Sequence, residues 1–154
     1  MRRWGVEMEQ SMDMLVSGQQ FRKLLEKRCE QLNEQYHVRF VEMDILSYLS
    51  RAGIHDTARD IMADLHISKA HISKSVENLK EKGFLILEED AQDRRCIHLC
   101  ITEKAKPLIR SFVAERQKFM EKLLAGVTDE EREVMIRVIS KILGNLNREY
   151  EQHF

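Results

Sequence analysis

Residues 66–83 read HISKAHISKSVENLKEKG, and their polar side chains are of one chemical kind. Ser68, Lys69, His71, Ser73, Lys74, Ser75 and Asn78 are hydrogen-bond donors or donor-acceptors, and no acid appears before Glu77. A surface that donates hydrogen bonds needs a partner rich in acceptors. Ile67, Ile72, Val76 and Leu79 recur at helical spacing, so the donors are expected on the face opposite a buried stripe. Four lysines stand against two glutamates over residues 66–82, while the whole chain has a net charge of −1. The basic footprint is therefore local. Taken alone, the near-neutral total argues mildly against nucleic acid.

Other chemistry-bearing residues point less far. Cys96, His98 and Cys100 alternate on a strand pattern and share one face, opposite Ile97, Leu99 and Ile101. Three soft ligands invite zinc, but a structural zinc site takes four, and these would span roughly 13 Å along a strand. The outer face of a hairpin is the expected role. The histidines are scattered singly, with no pair at i, i+4, so no metal site is expected. No Ser-His-Asp arrangement, Gly-rich phosphate loop or paired carboxylates can be assembled, so no enzyme and no cofactor are expected.

The elements that must position these residues follow from composition and pattern. The chain has 154 residues, 43% hydrophobic and 33% charged, with one Pro and six Gly, a composition of long solvated helices. No apolar run approaches the roughly 20 residues of a membrane span. MRRWGVEMEQ opens basic, yet no apolar stretch follows to make a secretory signal. Three cysteines without framework spacing fit a reducing, cytoplasmic setting.

A long helical pattern runs from about Val6 to Asn33, with Gly18 as its weak point. RFVEMDILSYLSRAG predicts a second helix ending near Gly53. Thr57 caps ARDIMADL, and Ser68 caps the helix that ends at Gly83. The period then changes to two: FLILEE and CIHLCI flank DAQDRR, which predicts a β-hairpin with a charged tip. Thr102 is expected to start the next helix, with Pro107 in its second turn and a stop at Gly126. TDEE at 128–131 is a capping box before the last helix.

The order ααα-α-ββ-αα is mainly α with a small β-hairpin. Two helices joined by a tight turn and followed by a hairpin make a winged helix-turn-helix. Its second helix would enter the major groove of double-stranded DNA, where Ser, Lys and His can donate to phosphate oxygens and to purine N7 or O6.

Here the sequence resembles the MarR (multiple antibiotic resistance regulator) family over nearly its whole length. The carriers are DIMADLHISKAHISKSVENLKEKGFL, EEDAQDRRCIHLCITEKA and TDEEREVMIRVISKILGNL. The spacing of Asp90, Asp93, Arg94 and Arg95, followed by a strand and T-E-K, is the most specific part. Met62 departs from the usual small Ala, and His66 stands where Gly often makes the turn.

The resemblance implies a homodimer with a dimerisation helix over residues 1–36, a winged lobe over 37–102 and dimerisation helices over 103–154. It implies a pocket between lobe and dimer helices that a small-molecule effector would fill. Carried over residue by residue, DNA contacts fall on Ser68, Lys69, Ala70, His71, Ser73 and Lys74. Arg94 enters the minor groove, Arg95 meets phosphate or braces the wing, and Asp93 holds the wing tip in shape. Lys80 and Lys82 are expected in a solvated last turn. Cys29 is a candidate redox site, because some relatives carry a Cys on the first helix near tyrosines, and Tyr36 and Tyr48 exist here. The local motif of those sensors is absent, and a helical Cys at an apolar position ordinarily belongs to the core.

The chain is thus expected to be a sequence-specific DNA-binding repressor, ligand- or oxidant-responsive, homodimeric and not membrane-bound. The alternative is a dimerisation or adaptor protein whose winged lobe binds protein.

Overall fold

Within residues 18–153, which the computed structural model describes, two helices rather than one carry the pattern before residue 37. These are α1 (Gln19–Arg28) and α2 (Glu30–Tyr36). Gly18 precedes α1 at φ 52°, and Cys29 separates the pair because its amide is shared between the carbonyls of Leu25 and Glu26. The expected run from Val6 to Ser17 lies outside the described residues.

Helix α3 (Phe40–Leu49) is apolar on nearly all sides, and eight of its ten residues are buried. A helix without a polar face can only sit inside a core. Around it lie Leu25, Ile61, Ile72, Leu79, Leu108 and Phe112, all at most 2% exposed. Phe40 meets Phe112 edge-on with ring centroids 5.7 Å apart.

Helix α4 (Ala58–Leu65) begins on a reciprocal cap. The Thr57 hydroxyl accepts from the Asp60 amide at 3.3 Å, and the Thr57 amide donates to the Asp60 carboxylate at 3.0 Å. It stops at His66, which holds φ 51° in the left-handed region that glycine fills at lower cost. Ser68 then caps α5 (Lys69–Glu81) by accepting from the His71 amide. The pair is the predicted helix-turn-helix.

Strands β1 (Leu85–Glu89) and β2 (Ile97–Ile101) form the antiparallel hairpin, with Leu85 opposite Ile101 and Glu88 opposite His98. Leu85 and Leu99 are its core residues, 1% and 4% exposed. The chain ahead of α4 adds an edge: Thr57 bridges His98, and the Leu99 amide donates to the Asp56 carbonyl at 2.9 Å.

Thr102 does not cap a helix; its hydroxyl donates to the Gly83 carbonyl at 2.7 Å. A 3₁₀ turn (Glu103–Ala105) intervenes before α6 (Lys106–Leu123). Pro107 therefore falls in the first turn of α6 rather than the second, where its missing amide is not needed.

The last helix, α7 (Asp129–His153), starts on the expected capping box, with the Thr128 amide donating to Glu131 at 2.8 Å and the Glu131 amide to the Thr128 hydroxyl at 3.2 Å. The chain forms two compact units that divide between residues 119 and 120, within α6. Among the described residues no helix is long and apolar enough to cross a membrane.

Candidate nucleic-acid interface

The first turn and a half of α5 presents the expected donors outward. Ser68, Lys69, Ala70, His71, Ser73 and Lys74 are all exposed, whereas Ile72 is 1% exposed and anchors the helix from beneath. The first acid on the helix is Glu77, two turns in. Four backbone amides at its N-terminus lack helical partners, so positive dipole potential adds to Lys69 and Lys74.

Two residues assigned to that outer face lie elsewhere. Ser75 is fully buried and Asn78 half-buried, because both turn toward the N-terminus of α3. There the Glu42 carboxylate, with no exposed surface, accepts from the Arg39 amide and Nε at 2.9 Å and from Arg39 Nη2 at 2.8 Å. Asn78 donates to the same carboxylate at 3.0 Å, and Arg39 Nη2 also donates to Ser75 Oγ at 3.2 Å. Lys82, expected in a solvated turn, pairs with Glu42 at 3.8 Å and is only 31% exposed. Burial works to raise the Glu42 carboxyl, but the hydrogen bonds from Asn78 and Arg39 prevail and hold it below the ordinary range. This polar node clamps the recognition helix to α3.

The wing tip is shaped by its two aspartates. Asp90 Oδ1 accepts from the amides of Gln92 and Asp93 at 2.7 and 2.8 Å. Asp93 Oδ1 accepts from the Arg95 amide at 3.0 Å, and the Asp93 carbonyl accepts from the Cys96 amide at 2.8 Å. These bonds leave Arg94 and Arg95 exposed at the tip. The amides of Asp93 and Gln92, then His98, bring the Asp90 carboxyl down to about 2.

His98 is not a free side chain on an outer face. Its Nδ1 lies 2.6 Å from Asp56 and its Nε2 lies 3.2 Å from Asp90. Both ring nitrogens are thus engaged by carboxylates from separate segments. Sequence spacing could not show this, because Asp56 is 42 residues away. No group of three or more metal-ligating side chains gathers among the described residues.

Cys29 is fully buried, and burial, followed by the nearby charges of Glu115 and Asp44, pushes its thiol up to about 11. A thiolate is disfavoured there, and the position is that of a core residue. Tyr48 donates to Asp64 at 2.7 Å, and burial raises it to about 12.

A cavity of about 900 Å³ lies beside the start of α5, lined by Arg22, Asn33, His37, Arg39, His66 and His71 among others. Asn33 Oδ1 is buried without a hydrogen-bond partner among the described residues.

The MarR family signature matches residues 38–95. Over 88 residues the chain is 27% identical to the uncharacterised HTH-type transcriptional regulator YdgJ of Bacillus subtilis (strain 168). That match covers 57% of this chain and 54% of the relative, so the chain matches about half of that protein's length. Among solved structures, the transcriptional regulator PA3341 superposes with a TM-score of 0.78 at 22% identity, over 90% of this chain and 98% of that one. The crystal structure of MarR gives a TM-score of 0.68 at 14% identity, over 93% of each chain. The MepR–DNA complex of S. aureus gives 0.56 at 23% identity, over 84% of this chain and 96% of that one. The capped pair α4 and α5 and the β1–β2 wing form a winged helix-turn-helix lobe, of which residues 38–95 match the MarR family signature, in a fold shared with the crystal structure of MarR.

Proposed function

We propose that the chain is a sequence-specific DNA-binding transcriptional regulator, acting in the cytoplasm as a homodimeric repressor with no catalytic role. The observation that carries this reading is the acid-free exposed face of Ser68, Lys69, Ala70, His71, Ser73 and Lys74 at the free end of a buried-stripe helix. The helix N-terminus and the lysines suit phosphate, and the side chains beside them suit base edges. Arg94 at the exposed wing tip is suited to the minor groove and Arg95 to phosphate, with Asp93 shaping the turn between them. The MepR relative has been crystallised with DNA, which supports the same use of this lobe.

Dimerisation belongs to the helices outside the lobe, α1–α2 up to residue 36 and the stretch from 103 onward. On α7, Ile136, Leu143, Leu146 and Tyr150 are 51–65% exposed, and among the described residues no α7 residue is buried. An apolar stripe of that length calls for a second copy. The cavity bordered by Arg22, Asn33 and His71 is the place for a small-molecule effector, because it adjoins the start of α5.

The test is selection of duplex DNA from a random pool, followed by binding of the enriched duplex over a range of salt. Enrichment of a two-fold-related site, with affinity falling steeply as salt rises, supports the reading. Absence of enrichment, together with no salt-dependent binding of any duplex, would favour the adaptor alternative.

A further inference from the structure

We propose that His98 is a protonation-dependent latch between the wing and the helix-turn-helix, holding the wing tip in place only while both ring nitrogens carry protons. The inference goes beyond the DNA-binding reading and rests on it only for its consequence at DNA.

The geometry is specific. Asp56 lies just before Thr57, the cap of α4, and faces Nδ1 at 2.6 Å. Asp90 lies at the root of the wing turn and faces Nε2 at 3.2 Å. An imidazolium donates to both carboxylates, whereas a neutral imidazole has one N–H and can donate to only one. On deprotonation the remaining proton stays on Nδ1, where the contact is shorter. Nε2 then presents a lone pair to the Asp90 carboxylate, and that contact turns repulsive.

Asp90 is the residue that matters for the wing. Its other oxygen accepts the amides of Gln92 and Asp93, so the carboxylate that His98 holds also organises the turn bearing Arg94 and Arg95. His98 is therefore a positioning residue for the wing arginines. It acts through Asp90.

The charged surroundings favour the closed state at low pH. Hydrogen bonds from the ring to Asp56 and then Asp90 raise the His98 pKa against the opposing effect of burial. Glu88 faces His98 across the hairpin, adding negative charge, and Cys96 and Cys100 flank it on its own strand. Both thiols are raised, first by burial and then by these carboxylates, so they stay neutral. From α6, Lys106 and Arg110 line the cleft that Asp56 also borders, and His55 pairs with Asp60 on α4 at 3.8 Å. A histidine with a raised folded pKa contributes fully below its unfolded value, and the contribution is lost as pH rises through the folded one. The Asp90 carboxylate is lost only as pH falls through about 2. The latch is thus closed in mildly acidic solution and opens on the alkaline side.

Two readouts test it. In the free full-length protein, NMR follows the His98 ring and the backbone order of residues 91–95 from about pH 6 to about pH 8.5. The latch predicts a ring midpoint above the ~6.5 of an ordinary histidine, and loss of order at the wing tip with the same midpoint. His98→Gln should remove the titration of wing order. Asp90→Asn, whose amide can donate to the neutral Nε2, should keep the wing ordered on the alkaline side. A wing tip that keeps its order while the ring titrates would overturn the proposal. So would an ordinary ring midpoint.

The second readout uses a duplex selected by the wild-type protein from a random pool at about pH 6. Wild-type affinity should fall about threefold to tenfold across the same range, the factor one hydrogen bond is worth. His98→Gln should lack that component, and the difference between the two profiles isolates it. Parallel pH profiles for the two proteins would overturn the latch while leaving DNA binding intact. A protein that enriches no duplex fails the DNA reading, whereas the NMR result decides the latch without DNA.

Discussion

At the scale of single residues, the proposed interface divides into side chains that position and side chains that read. Lys69, exposed on the first turn of α5, is proposed to meet phosphate. Lys69→Ala should weaken binding to all duplexes about equally and reduce the salt slope by about one unit per half-site. Lys74, with His71 and Ser73, is exposed on α5 and is proposed to read base edges. Lys74→Ala should cost on the order of 1–3 kcal/mol at one base position and relax specificity there. Arg94→Ala should weaken binding and flatten any preference for A·T-rich flanks, with dimerisation unchanged. Affinities of each variant for the selected duplex and its single-base variants, at several salt concentrations, check all three. A uniform loss for Lys74→Ala would mean that it positions rather than reads.

The donor face was legible in the sequence because it depends on residue type and on a helical period that Ile72 and Leu79 set unambiguously. Ser75 and Asn78 were misread because their partners, Arg39 and Glu42, lie 36 residues away at the start of α3. The same limit hid His98, since strand alternation reports a face but not what a preceding loop brings to it.

At the scale of elements, caps and one buried node decide how firmly the recognition helix is held. Thr57→Ala removes the reciprocal cap of α4 and should destabilise the lobe by about 1 kcal/mol in denaturant titration. Glu42→Ala leaves Arg39, Asn78 and Lys82 without their shared acceptor, and should cost about 3–5 kcal/mol. The pH sign follows from the depressed Glu42 carboxyl. Its contribution is present above the unfolded pKa and is lost as pH falls through the lower folded value. Wild-type stability should therefore fall in acid, and Glu42→Gln should be both less stable at neutral pH and less acid-sensitive. Equal acid sensitivity of the two proteins would remove Glu42 from this role.

Caps such as Thr57, Ser68 and Thr128 could be read from sequence, because a cap is decided by residues three apart. Thr102 resembled one, but Gly83, 19 residues earlier, offers its hydroxyl a carbonyl, and the helix starts later. The break at Cys29 had no sequence signal, since Cys at an apolar position continues the helical period without interruption.

At the scale of the whole molecule, the proposed dimer rests on α7. Its 25 residues span about 37 Å, and among the described residues Ile136, Leu143 and Leu146 on it are more than half exposed. The protein should sediment as a dimer with no stable folded monomer of 18.2 kDa, and Leu143→Glu should abolish dimerisation and DNA binding together. A compact folded monomer at low concentration would contradict this. Such a face is legible in sequence as a long apolar period, but a single chain cannot display what covers it.

The central claim is that two copies of α5 read DNA, and one measurement bears on it most directly: selection from a random duplex pool with the enriched site then titrated against salt. A two-fold dimer predicts a pseudo-palindrome with half-sites about one turn apart, roughly 10 bp centre to centre, and a log–log salt slope steepened by about 0.9 for each phosphate contacted. An unenriched pool, or an enriched sequence bound with no dependence on salt, would contradict the account.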